Sequence, residues 1–371
     1  MEADYRFMAR AIKLARQGLY TTHPNPRVGC VLVRDGKLVG EGYHRYAGEP
    51  HAEPNALRAA GTNARGATGY VTLEPCCHQG RTPACTEALI EAGVSRVVAA
   101  MRDPNPLVAG AGFKRLRQAG VDVVEGVLEA ESAQLNPGFI KRMQTGRPYV
   151  RCKLAMSLDG KTAMASGESQ WITGTAARLD VQRLRARSDA IVTGIGTVLA
   201  DDPSMNVRIA GGSVPGIPKG NALRQPLRVV LDSRLQMPAS AKMIGLKGDT
   251  LIVSLIAGSN QPLLNAVGAE VMLLPGSGNR IDLGLLLDQL GGRQINEVLI
   301  ESGPTLAGGF LAAGLVDELM IYAAPHIMGD NARGLLQLPG LDRMQDRISL
   351  EITDLRMVGK DIRLTAKPLT G

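Results

Sequence analysis

Aromatic residues are scarce in this chain, only 3% of 371 positions, with a single tryptophan. Proteins that grip single-stranded nucleic acid stack bases on aromatic side chains, each worth about 1–3 kcal/mol, and so few rings cannot furnish such platforms. Basic runs are missing too. The net charge of +7 comes from Lys and Arg dispersed along the chain with no run of five, which suits small anionic ligands better than a nucleic-acid backbone. No stretch approaches the roughly 18 apolar residues of a membrane span. The opening MEADYRFMAR carries acids where a secretory signal is basic and then apolar. A cytoplasmic protein with neither nucleic-acid nor membrane partners is therefore expected. Cysteine is sparse and odd in number, five in all with three between residues 76 and 85. That pattern fits metal or catalytic chemistry in a reducing compartment rather than a disulfide framework.

The length exceeds what one hydrophobic core usually serves, so two domains are expected. DYRFMARAIKLARQG predicts a first helix, with Asp4 as its cap, Met8, Ala11, Ile12 and Ala15 on one face, and Gly18 at its end. In VGCVLVRDGKLVGEG, Asp35-Gly36 sits between two β-rich runs, the demand of a two-residue type I′ hairpin turn. Helices and strands then alternate as far as 143–149, MQTGRPY, where a turn ends a helical stretch and marks a domain boundary. Beyond it, strand-like runs at 189–193, 227–231, 250–254, 296–300 and 317–323 interleave with helical candidates near 175–187, 260–267, 281–290 and 304–313. Both halves therefore read as α/β. The stretch 211–221, GGSVPGIPKGN, reads as a mobile surface loop.

Chemistry concentrates in two places in the first half. His51-Ala52-Glu53 opens a helix, because Pro54 is tolerated in a first turn. About 25 residues on, a strand ends in Glu74-Pro75 and delivers EPCCHQGRTPAC, residues 74–85. An H-x-E followed by P-C-x-x-C is the signature of zinc-dependent deaminases, with one His and two thiolates on the metal and the Glu unbound. Here the second cysteine comes late, with eight residues between Cys76 and Cys85. One imidazole and two thiolates leave a fourth tetrahedral position open to water. Cys76 holds the signature position after Pro75, and Cys77 is its rival. His78 reads either as a fourth ligand, which would close the site, or as a contact to a substrate phosphate. Cys85 reads as a buried small residue or, at a helix start, as a thiol whose lowered pKa suits a metal. Glu53 argues against a purely structural zinc site, since a carboxylate two residues from a ligand has no structural duty there.

In the second half, AIVTGIGT (190–197) and VLIESGPTLAGG (298–309) each end a strand and open a turn or helix. Free backbone N–H groups at such junctions hold pyrophosphate, and together on one sheet they favour a dinucleotide site. Ser233 follows the strand RVVLD at a comparable strand end.

These stretches, together with THPNPRVGCVLV, GYHRYAGEPHAE, DPNP, KLAMSLDGKTAMASGESQWITG and TGIGTVLADDP, closely resemble the bifunctional riboflavin-biosynthesis deaminase–reductase family. The resemblance runs from about residue 4 to the end of the chain. It implies a cytidine-deaminase-like α/β/α layered domain over 1–146 and a dihydrofolate-reductase-like α/β domain over 147–371. The first would deaminate 2,5-diamino-6-ribosylamino-4(3H)-pyrimidinone 5′-phosphate with one Zn²⁺. The second would reduce the ribosyl group to ribityl with NADPH. Carried over residue by residue, the resemblance implies His51, Cys76 and Cys85 as zinc ligands and Glu53 as proton shuttle. Asn25, His44 and Arg81 would surround the pyrimidine and its phosphate, and the loop residue His78 is placed beside Arg81 to meet that phosphate. Ala155, Trp171, Thr197, Asp201 and the segment Gly303, Pro304, Thr305, Leu306, Ala307, Gly308 and Gly309 would contact NADPH, with Ser233 toward its 2′-phosphate. Ser169, Arg185, Arg208 and Glu301 would hold the substrate. Away from the resemblance, Trp171 reads as a core anchor. The partner is then a small phosphorylated pyrimidine, and a homo-oligomer, dimer or tetramer, is expected. The rival readings are a nucleoside or nucleic-acid base deaminase with an unrelated fused domain, and a zinc-stabilised scaffold with vestigial motifs.

Overall fold

The computed structural model describes residues 2–77, 84–106 and 108–369. The chain forms two compact units, Met1–Gly146 with Ala210–Leu223, and Arg147–Ile209 with Arg224–Gly371.

In the first unit the order is α1 (Glu2–Ala15), β1 (Gly29–Arg34), β2 (Lys37–Tyr43), α2 (Ala52–Ala60), β3 (Thr68–Val71), α3 (Cys85–Glu91), β4 (Arg96–Ala99), α4 (Ala111–Gln118), β5 (Asp122–Glu125), α5 (Glu129–Ala133) and α6 (Pro137–Thr145). The strands form one sheet in the order β2-β1-β3-β4-β5, antiparallel across β2, β1 and β3 and parallel from β3 to β5. Strand period two explains the layers. Val31 and Val33 of β1 face Phe7, Met8, Ala11 and Ile12 of α1, whereas Cys30 and Leu32 face Ala52, Ala56 and Ala60 of α2 and Leu89 of α3. Both faces are covered, so β1 reads as an unbroken apolar run, and each fully buried large side chain contributes about 1.5–3 kcal/mol.

The hairpin turn has φ 51° at Asp35 and 72° at Gly36, the left-handed pair that type I′ needs. Asp4 differs from its expected role. It lies inside the first turn of α1, and its carboxylate accepts from Arg96 at 2.9 and 3.1 Å and from the Tyr70 hydroxyl at 2.9 Å. A buried partner from the sheet outcompeted the local cap. The stretch 211–221 is not a free surface loop either. Val214 and Ile217 are buried, and Gly216 lies so near Gln17 that a Cβ would come within 1.8 Å of its carbonyl oxygen.

The second unit runs β6 (Tyr149–Ser157), β7 (Lys161–Ala163), α7 (Thr175–Arg187), β8 (Ala190–Gly194), α8 (Ile195–Asp201), β9 (Leu227–Leu231), β10 (Thr250–Ser254), α9 (Gln261–Ala266), β11 (Ala269–Leu273), β12 (Gly276–Ser277), β13 (Arg280–Ile281), α10 (Leu283–Gly292), β14 (Glu297–Glu301), α11 (Pro304–Ala312), β15 (Glu318–Ala324), β16 (Arg333–Gly334), β17 (Leu350–Val358) and β18 (Asp361–Pro368). Its main sheet has nine strands in the order β11-β10-β9-β8-β14-β6-β15-β18-β17. All are parallel up to β15, and the closing hairpin β17–β18 is antiparallel. Apolar clusters lie on both faces of this sheet, as two-sided burial of parallel strands requires.

Candidate active site and metal centre

His51 is the N-cap residue of α2, with extended backbone, so its side chain leaves the helix end rather than its flank. Gly40 and Gly42 of β2 bring that helix in. A Cβ at Gly42 would meet Ala56 N at 2.6 Å and Ala52 O at 2.7 Å, so only glycine lets α2 lie against β2. Cys76 follows the end of β3, and Cys85 is the first residue of α3. Three separate elements thus bring their ligand atoms within 4.8 Å of one another. His51 Nδ1 is 3.3 Å from Cys85 Sγ and 3.7 Å from Cys76 Sγ. Tetrahedral zinc with ordinary Zn–S and Zn–N bonds separates neighbouring ligand atoms by about 3.5–3.8 Å, so these residues fit that ion. Cys77 is outside the cluster, and burial pushes its thiol pKa up. His78 and Arg81 lie outside the described residues.

The electrostatics agree with the geometry. The Cys85 thiol, its backbone N–H at 3.4 Å and the His51 ring all hydrogen-bond to Cys76 Sγ. They pull the Cys76 thiol down to about 4, mainly through the Cys85 side chain. Cys85 is raised in turn, because it shares its proton with that sulfur. Glu53 is 3% exposed, and burial, followed by the charge on Cys76, pushes its carboxyl up to about 7. A group poised near neutrality can both take and return a proton.

Next to this centre, the rings of His44 and His51 meet edge to face with centroids 5.3 Å apart. His44 is 2% exposed and reaches Asn25 Nδ2 at 3.1 Å and Pro50 O at 3.2 Å, and burial pushes its pKa down. Glu74 is a residue that the sequence signature did not single out. Its buried carboxylate accepts backbone N–H groups from Asp103, Gly110 and Gly112 at 2.8–3.1 Å, and from Phe113 at 3.4 Å. It ties the ligand loop to the start of α4, acting as a helix cap supplied from another element.

In the second unit, β9, β8, β14 and β6 are adjacent parallel strands. Ser233, the segment carrying Thr197 and Asp201, the segment Gly303–Gly309 and Ala155 therefore lie toward the same C-terminal edge of the sheet, where α/β folds bind ligands. Gly303 is the N-cap of α11, and Leu306 comes to 3.5 Å from the Cβ position of Gly194, so the two glycine junctions are neighbours. Thr305 Oγ1 donates to Gln337 Oε1 at 2.8 Å, and a Cβ at Gly308 would meet Gln337 O at 2.1 Å. Arg185 and Glu301 form a buried two-pronged ion pair at 2.6 and 2.9 Å, and Arg185 also donates to Asn206 O. Arg208 stands beside that pair, its backbone N–H on Gln182 Oε1 and its guanidinium on Asn206 Oδ1. Lys153, unremarked in the sequence, faces Glu301 from the neighbouring strand, and burial pulls its pKa down. Trp171 is 70% exposed with the Arg178 guanidinium 4.8 Å from its ring centroid, so it is no core anchor. Ser169 is half-buried on the same segment.

The two folds and the His–Cys–Cys–Glu centre define a zinc-dependent deaminase of cytidine-deaminase type, joined in one chain to a reductase. Residues 1–101 match the cytidine and deoxycytidylate deaminase zinc-binding region, and residues 148–364 match the RibD C-terminal domain. The riboflavin biosynthesis protein RibD of Escherichia coli (strain K12) is 53% identical over 367 residues, 98% of this chain and 99% of that protein. Among solved structures, RibD of Acinetobacter baumannii superposes with a TM-score of 0.92 at 46% identity, covering 100% of this chain and 99% of that one. A Thermotoga maritima protein described as a diaminohydroxyphosphoribosylaminopyrimidine deaminase/5-amino-6-(5-phosphoribosylamino)uracil reductase gives 0.86 at 33% identity, covering 99% of each chain. The chain belongs to the RibD family and is a bifunctional deaminase and reductase of riboflavin biosynthesis. The first unit is cytidine-deaminase-like and uses zinc. The second has the RibD reductase fold, which is dihydrofolate-reductase-like, and uses NADPH. Among the described residues no helix is long and apolar enough to cross a membrane.

Proposed function

We propose that the first unit removes the 2-amino group of 2,5-diamino-6-ribosylamino-4(3H)-pyrimidinone 5′-phosphate at the His51, Cys76 and Cys85 centre, and that the second reduces the ribosyl chain of the product. The observation that carries this reading is the convergence of those three ligand atoms beside a buried carboxyl on the same helix start. Zinc, when bound, brings the pKa of a water it holds down to roughly 7. Glu53 takes a proton from the attacking water and passes it to the ring nitrogen, then takes the remaining proton of the added hydroxyl and gives it to the amine, which leaves as ammonia as the carbonyl forms. Asn25 reads the pyrimidine. His78 and Arg81 stay in this reading as phosphate contacts.

In the second unit bound NADPH would supply the hydride that C1′ of the opened, imine form of the ribosylamine takes up, with a proton from solvent going to its nitrogen. The protein's share is alignment. The glycine junctions with Thr197, Asp201, Ala155, Trp171 and Ser233 hold the dinucleotide, and Ser169, Arg208 and Glu301 hold the substrate. Arg185 is committed to Glu301, so its duty is to fix that carboxylate, and Arg208 is the phosphate cation. The homo-oligomer, a dimer or tetramer, belongs to the same proposal. A register shift in β17 leaves Leu350, Ile352, Leu355 and Met357 opposite Pro368, Ala366, Leu364 and Ile362, so four exposed apolar side chains share one face of an edge strand.

Glu53→Gln tests the core of this reading. Ammonia release should fall by a factor of about 10²–10⁴ with zinc retained, and NADPH oxidation with the deaminated intermediate should match wild type. Loss of zinc in that variant, or loss of both activities in a folded protein, contradicts it.

A further inference from the structure

His44 has no ring nitrogen left for a substrate. Its backbone N–H is fixed on Val28 O at 3.0 Å, its Nδ1 meets Pro50 O, and its Nε2 meets Asn25 Nδ2. A backbone carbonyl can only accept, so Nδ1 carries the hydrogen. In the neutral ring Nε2 is then a lone pair, and the only end of an amide that can face it is the NH₂. Asn25 must therefore turn its carbonyl oxygen the other way. No described residue donates to Asn25 Oδ1, and Asn25 itself is only half-buried. The His44 ring also packs on His51, so this open acceptor lies one ring away from the metal-binding imidazole.

We infer that His44 is a positioning residue that sets the amide of Asn25 with its oxygen toward the bound pyrimidine, and so selects rings presenting a hydrogen-bond donor there. The inference rests on the deaminase reading given above and deepens it. Without His44 the amide can rotate by 180° at little cost and present NH₂ instead, which would suit an acceptor edge. The 2-amino-4-oxo ring of the proposed substrate carries a ring N–H beside the carbon that loses its amine. A cytosine seated with its own reacting carbon in that place offers a C–H there. An acceptor held in one orientation tells the two apart, because a buried polar group left unpaired costs more than a lost contact.

The test separates the two nitrogens of His44. In His44→Gln the amide oxygen can replace Nε2 and accept from Asn25, whereas in His44→Asn the shorter side chain can replace only the Nδ1 bond to Pro50. With the ribosylated diaminopyrimidine phosphate, KM in the Gln variant should stay within about threefold of wild type. In the Asn variant it should rise roughly tenfold or more, with kcat changed far less and zinc content equal. A cycle with Asn25→Ala gives a second readout. That change alone should raise KM by a similar factor, and adding His44→Asn should then cost no more than about threefold. Equal KM in the Gln and Asn variants, or effects that multiply in the cycle, would overturn the inference. If the wild-type enzyme released no ammonia from this substrate, the underlying reading would fail and this one with it.

Discussion

Cys76 and Cys77 are adjacent, yet their thiols are driven in opposite directions. Hydrogen bonds from Cys85 and His51 pull the first down to about 4, and burial pushes the second up. Among the described residues, only Cys76 and Cys85 join His51 within ligand distance. Cys76→Ser should therefore lose most of its zinc in metal analysis of the purified protein, and Cys77→Ser should keep one ion per chain. A loss confined to the second variant would reverse the division. At this scale the sequence was informative where chemistry demands a fixed spacing, as in His51-Ala52-Glu53 and Pro75-Cys76. It was silent where a charge acts through burial. Glu74 looks like any strand-end acid until four backbone N–H groups close on it. Likewise Arg185 and Glu301 are separated by 116 residues, so nothing local reveals that one guanidinium is already spent on the other.

Elements were legible in proportion to their periodicity. The helix predicted near 175–187 is α7 with those bounds, and the Asp35-Gly36 turn follows from local chemistry. The closing hairpin β17–β18 went unread, because most of β17 is exposed and its alternation is broken by the shift between Ile352 and Asp354. Junctions between elements carry their own electrostatics. Just after β6, Asp159 accepts from the Ser157 hydroxyl and from the N–H groups of Met328 and Gly329 at 3.1 and 2.8 Å. The Ser157 bond first, and then the backbone donors, hold its pKa down to about 2, against an ordinary 3.8. A depressed carboxylate contributes stability above its unfolded pKa and loses it as pH falls through the folded value. Urea unfolding of Asp159→Asn should thus show a deficit near neutrality that narrows between about pH 4 and pH 2. A deficit independent of pH would mean that only shape is lost.

For the whole molecule the informative segment is Ala210–Leu223, which belongs to the first unit although both its flanks belong to the second. Its glycines and prolines signal a loop truthfully, but loop composition says nothing about burial, and Val214, Ile217 and Leu223 are buried. Gly216 is the sharpest point to probe. It has φ 75°, and an added Cβ would strike the Gln17 backbone. Gly216→Ala should cost about 1–3 kcal/mol. The cost should appear as a lower temperature for loss of ammonia release, with NADPH oxidation little changed. Equal heat resistance of both activities in the variant and wild type would show that the segment is not integral to the first unit.

The same connectivity sets an order of events at the ribosome. By residue 146 every strand of the first sheet has been made, but the piece that completes that unit is encoded after β6, α7 and β8. At roughly 5–20 residues per second, the N-terminal unit waits on the order of ten seconds for its last part. During that interval the nascent chain carries a finished sheet with an unfinished surface, and that is when a chaperone or an early-binding metal would matter most.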